Sequence, residues 1–116
     1  MTETIGGKLV QVLTGIIDIG EDQDGKTALP YAVYSLDVAP AYVKGRIYKI
    51  SGTLNIYIYA DTASEARSIQ DQVITAIADQ MQNDQYRSRL VSASSNDDNG
   101  KYVQTLEYSI SQIKND

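Results

Sequence analysis

The chain has no histidine, cysteine, phenylalanine or tryptophan, and only two prolines in 116 residues. Without histidine there is no imidazole general base, no histidine-dependent triad and no ordinary catalytic zinc site. Without cysteine there is no disulfide framework and no thiolate metal site. A strongly basic surface is also missing, since the net charge is −5, which argues against a nucleic-acid footprint. Long apolar runs are absent, and the opening Met1-Thr2-Glu3-Thr4 lacks the basic region and apolar stretch of a signal peptide. The expectation is a cytoplasmic protein with no membrane association. The length suits one domain, 1–116, and a chain of this size buries roughly two-thirds of its unfolded surface.

What is present is tyrosine. All of the aromatic content is nine tyrosines, whose apolar rings and polar hydroxyls suit half-buried positions and protein contacts. Periodicity gives six elements. Ile5, Leu9, Val12 and Ile16 predict a helix over Thr4–Ile16, weakened by Gly6, Gly7 and Gly15. An acidic loop follows from Asp18 to Lys26. Pro30 opens a strand over Tyr31–Val38, with Ala32, Tyr34, Leu36 and Val38 on one face. Pro40 and Gly45 punctuate the connection to a long strand, Arg46–Tyr59. Ile50, Leu54, Ile56 and Ile58 fall on one face of it, and Thr53, Asn55, Tyr57 and Tyr59 on the other. Ser51-Gly52 suggests a bulge or bend.

The second helix has the clearest signal. Thr62 and Glu65 have capping-box spacing, and Ala66, Ile69, Val73, Ile77 and Met81 make an apolar stripe. Asn83-Asp84 ends it. A strand over Arg87–Ser94, a turn cluster at Asn96–Gly100 and a last strand over Tyr102–Ile113 complete the chain. The expected fold is α+β in the order α-β-β-α-β-β. It is a largely antiparallel four-stranded sheet with both helices on one face.

Sites for chemistry are hard to build from these residues. Ser111-Gln-Ile-Lys114 has Ser-x-x-Lys spacing but lacks the partner motifs. Aligning Asp22, Asp24 and Gly25 to a calcium loop puts Gly20 first and Tyr31 twelfth, and neither can ligate as that loop requires. The Asn96–Gly100 cluster fails in the same way. Gly6-Gly7-Lys8 has no phosphate-loop spacing and no preceding strand. No catalytic, cofactor-binding or metal residue is assigned, and an enzyme is not expected. Arg46, Lys49, Arg87 and Arg89 form a basic patch if their strands pair, while single surface charges are the simpler reading.

Leu29-Pro30-Tyr31-Ala32-Val33-Tyr34, then Leu54-Asn55-Ile56-Tyr57-Ile58-Tyr59-Ala60 running into Thr62-Ala63-Ser64-Glu65-Ala66-Arg67, resembles the tail-terminator or tail-completion family of long-tailed bacteriophages. The resemblance implies a structural protein without cofactor. It would assemble as a homo-hexameric ring on the tail tube, touch the tail tube protein and the head-side connector, and let DNA pass without specific binding. Its location would be the cytoplasm during assembly and then the virion tail. On that reading Asp18, Glu21, Asp22 and Asp24 are candidates to line the channel, since acidic residues repel phosphates. Tyr57, Tyr59, Arg46 and Lys49 are candidates for a subunit interface. The competing reading is a small ligand-binding or regulatory module with a ferredoxin-like sheet.

Overall fold

Alternation decides the sheet. Along three of the four long strands the even-numbered residues are mostly large and apolar and the odd-numbered ones polar or mixed, so the strands can bury one face and present the other. The computed structural model describes residues 5–21, 30–43, 46–83, 85–98 and 101–113. In it helix α1 (Ile5–Leu13) leads into strand β1 (Asp18–Glu21). The chain continues through β2 (Tyr31–Val43), β3 (Arg46–Ala60), helix α2 (Ala63–Gln80), β4 (Tyr86–Asp98) and β5 (Lys101–Ile113). The sheet order is β1-β2-β3-β5-β4.

This corrects the expected fold. Among the described residues the sheet has five strands, not four, and it is mixed: β1 pairs parallel to β2, from Asp18↔Tyr31 to Glu21↔Tyr34. The remaining pairs are antiparallel. The added strand takes the first residues of the expected acidic loop. Of that loop, 22–26 lies outside the described residues. A sequence with two carboxylates and a glycine in four positions carries little strand signal. It is held because Ile19 enters the core and the backbone of β2 offers an open edge there.

Both helices lie on the even face. The core joins Leu9 and Leu13 of α1 and Ile69, Val73 and Ile77 of α2 to Leu54, Ile56, Ile58, Leu106 and Ile110 of the sheet. The predicted stripe of α2, Met81 included, is buried. Its start is capped as expected: the Glu65 amide donates to Thr62 Oγ1 at 3.1 Å, and Glu65 Oε1 accepts from the Asp61 amide at 3.3 Å. With β5 between them, β3 and β4 run in the same direction, so β3-α2-β4 is a split crossover that lays α2 over the sheet. After α2, Asn83 Oδ1 accepts from the amides of Gln85 and Tyr86 at 2.8 and 3.0 Å, and Ser88 Oγ donates to the Met81 carbonyl at 3.1 Å. This short turn aims β4 along the outer edge.

Several boundaries move. Helix α1 stops at Leu13 rather than Ile16. Pro40 does not end a strand but pairs with Ile50 inside β2. Proline is tolerated there because, among the described residues, β1 covers only Tyr31–Tyr34 and the outer side of β2 has no strand partner further on. Gly52 is not at a bulge: Val38↔Gly52 pairs in register, and the shift falls between Ala41 and Tyr42, where Tyr48 is the extra residue. A second shift between Leu90 and Ser92 leaves Val91 extra in β4. Asn96, Asp97 and Asp98, read as part of a turn, belong to β4.

Candidate functional site

Because paired residues share a face, the register lists the odd face row by row. Tyr31, Tyr59, Val103 and Asn96 form one row, and Val33, Tyr57, Thr105 and Ser94 the next. This end is aromatic. The rings of Tyr31 and Tyr59 stack at 4.8 Å with 21° between their planes, and Tyr31, Val33 and Val103 are buried. Next comes Ser35, Asn55, Glu107 and Ser92. The far end is different: Asp37, Thr53, Ser109 and Arg89, then Ala39, Ser51, Ser111 and Arg87, with Lys49 beside Ile113.

That far end forms a recess of about 440 Å³ lined chiefly by Lys49, Ser51, Arg87, Arg89, Ser109 and Ser111. No carboxylate is among its described lining residues. The cations come from strands that are not neighbours. Lys49 lies on β3 and the arginines on β4, about 10 Å apart at a strand spacing near 4.8 Å, with the serines of β5 between them. Arg87 donates through Nη1 to the Asn83 carbonyl. That bond holds one side of the guanidinium and leaves its other N–H groups available. The condition set for a basic patch, that these strands pair, is not met, since β5 separates them; Lys49, Arg87 and Arg89 nevertheless line one recess, and the Arg46 side chain lies outside the described residues.

The four residues named as an interface are not one cluster. Tyr57 and Tyr59 share the aromatic end, whereas Lys49 is eight residues from Tyr57 along β3, roughly 27 Å at strand rise. Of the acidic channel candidates, Asp18 is exposed at the start of β1 and Glu21 ends that strand. Asp22 and Asp24 lie outside the described residues. Among the described residues no three acidic side chains converge on a possible metal position.

Two further recesses were not visible in the sequence. One of about 460 Å³ lies between the end of α1 and α2, lined by Ile16, Asp71, Thr75, Ala76 and Asp79 among others, with no described cation. The other, about 400 Å³, sits under the first turns of α2 and contains Arg67, Ser95, Tyr102 and Gln104. Gln104 is buried, donates to Gln70 Oε1 and accepts from Ser95 Oγ. That polar relay fastens α2 to β5 and β4. The signal available for Gln104 was its even position among Leu106, Tyr108 and Ile110, where a polar residue needs partners.

No protein-family model matches the chain, and no curated protein sequence matches it. A search of solved structures finds the bacteriophage SPP1 gp17 protein, with a TM-score of 0.52 over 93% of this chain and 86% of that one. The fold is similar to that of a bacteriophage protein. Sequence identity is 17%, so the likeness concerns the fold. Among the described residues no helix is long and apolar enough to cross a membrane.

Proposed function

We propose that the chain is a structural, non-enzymatic tail-completion protein of a long-tailed phage or prophage, one that caps the tail tube as a ring and joins it to the head-side connector. The observation that carries this reading is the fold likeness to a phage protein over nearly the whole chain. The strings that resemble the tail-completion family fit it: Tyr31–Tyr34 opens β2, and Leu54–Arg67 spans the β3–α2 junction. A homo-hexamer on the tube would touch the tail tube protein, with Asp18, Glu21, Asp22 and Asp24 toward a channel through which DNA passes unbound. The protein would assemble in the host cytoplasm and remain in the virion tail.

The test is genetic and visual. Deleting the gene should give tails of uncontrolled length or tails that do not join heads, and electron microscopy of complemented particles should locate the protein at the head-proximal end of the tube. Normal infectious particles without it would remove the assignment. The ligand-binding alternative has one observation in its favour, the recess around Arg67 and Gln104. The polar groups there already engage one another: Gln104 meets Gln70 and Ser95, and Arg67 Nε donates to the Ala63 carbonyl at 3.5 Å.

A further inference from the structure

The basic, serine-lined recess opens on the odd face, while the acidic recess along α2 lies on the layer that covers the even face. We propose that these two recesses are complementary halves of one contact: the Lys49–Arg87–Arg89 recess of one copy receives the Asp71–Asp79 face of α2 from a second copy. This rests on the ring-forming reading above and names the surfaces that would make the ring.

Three features favour a second copy as the occupant. The first is charge. The recess gathers three cations with no described carboxylate in its lining, and the α2 recess has two carboxylates with no described cation. Opposite potentials meeting across a contact set its register and orientation. The second is chemistry: Ser51, Ser109 and Ser111 can both donate and accept, so they suit the Gln72, Thr75 and Gln80 side chains that surround Asp71 and Asp79. The third is direction. The two patches are different and lie on different layers of the molecule, so the contact is heterologous. It repeats head to tail and closes into a ring when the rotation per copy allows. A DNA backbone fits less well. The same face carries Asp37 in the row of Arg89 and Glu107 in the next row, and the chain as a whole is acidic.

The contact can be trapped by disulfide formation, because the parent chain has no cysteine. Chains carrying Arg89→Cys are mixed with chains carrying Asp79→Cys under mild oxidation, at millimolar concentration and again on assembled tails. Both positions are exposed, and thermal unfolding of each variant checks that the fold is kept. The mixture should cross-link at least about tenfold faster than either variant alone, and the rate should fall as salt rises toward ~1 M, where charges are screened beyond about 3 Å. A chain with both cysteines should give a ladder of oligomers. In the charge-reversal version, Arg89→Glu or Asp79→Lys alone should weaken association, and mixing the two should restore it. Homodimers through position 79 or position 89 forming as fast as the mixed species would overturn the proposal. So would protection of position 89 by short duplex DNA but not by a second copy, or the absence of the mixed cross-link in both settings. A chain found on tails without the 79–89 cross-link overturns the contact and leaves the tail assignment standing. The cross-link formed by a chain that tails do not contain does the reverse.

Discussion

The two faces of the sheet share the same strands and differ in what they are built to do. On the even face, Leu54, Ile56, Ile58, Leu106 and Ile110 are at most 2% exposed and lie under two helices. On the odd face the same strands present Ser51, Thr53, Asn55, Thr105 and Glu107 half-buried, with cations at one end and stacked tyrosines at the other. Side-chain alternation lets one strand serve both purposes, so residue parity separates the determinants of folding from the surface left for a partner. The largest effect expected from this contrast is at Ile77, which is buried by α2 on the even side. Ile77→Ala should cost ~2–5 kcal/mol of unfolding free energy, measured by urea denaturation, whereas Asn55→Ala on the odd face should stay within about 0.5 kcal/mol. Equal losses at the two positions would erase the distinction.

The same contrast explains what could be read from the sequence. Helix α2 was legible because its evidence is local: a cap, a capping-box partner and a stripe within twenty positions. The even face was legible because alternation is local too. Strand β1 was not, since Asp18-Ile-Gly-Glu21 becomes a strand only through β2, and the residues between Glu21 and Tyr31 are fewer than a parallel crossover usually takes. Pro40 looked like a boundary because proline lacks an amide hydrogen. The edge position that makes it harmless depends on how far β1 extends. The register shifts at Tyr48 and Val91 answer to cross-strand partners and leave no mark in composition. Likewise, Lys49, Arg87 and Arg89 were each visible, but their assembly across β5 depended on the strand order. Tyr102 has the even parity of Leu106 and Tyr108 yet is 41% exposed; it borders the recess under the first turns of α2.

Gly52 sharpens the comparison from the hairpin side. It belongs to the even parity, yet what presses on it is the backbone of β2 and not a helix. A Cβ at this position would stand 2.0 Å from the Asp37 carbonyl oxygen and 2.7 Å from the Val38 Cα. Main-chain atoms cannot swing aside as a side chain can, so the two strands would have to part. Gly52→Ala should therefore cost roughly 1–3 kcal/mol, the usual range for overpacking. Gly15, which has nothing within 4 Å of an added Cβ, is the control. Gly6 lies between these cases: its missing Cβ would sit 2.8 Å from the Tyr34 hydroxyl, so α1 approaches the sheet by resting on a tyrosine tip that can move. A Gly52→Ala variant as stable as the parent would show that β2 and β3 do not approach this closely.

The smallest effect at neutral pH comes from a hydroxyl on the covered face. Tyr108 is on the even side and buried, and its hydroxyl has no hydrogen-bond partner among the described residues. Burial pushes its phenol from 10.0 up to about 12. At pH 7 the group is neutral whether the chain is folded or not, and Tyr108→Phe removes a polar atom that bonds to nothing described. The change should be close to neutral, within about 1 kcal/mol and tending toward stabilisation. At alkaline pH the two proteins should diverge. Below pH 10.0 the folded and unfolded phenols are both protonated and the native state loses nothing. Between 10.0 and about 12 the unfolded chain releases this proton more readily than the folded one, so stability falls as pH rises until the folded phenol also ionises. Tyr108→Phe has no such proton to release, so its urea midpoint should fall less steeply than the parent's across that window. Parallel curves from pH 7 to 12 would mean that the hydroxyl meets water or a partner, and that the covered face is open at Tyr108.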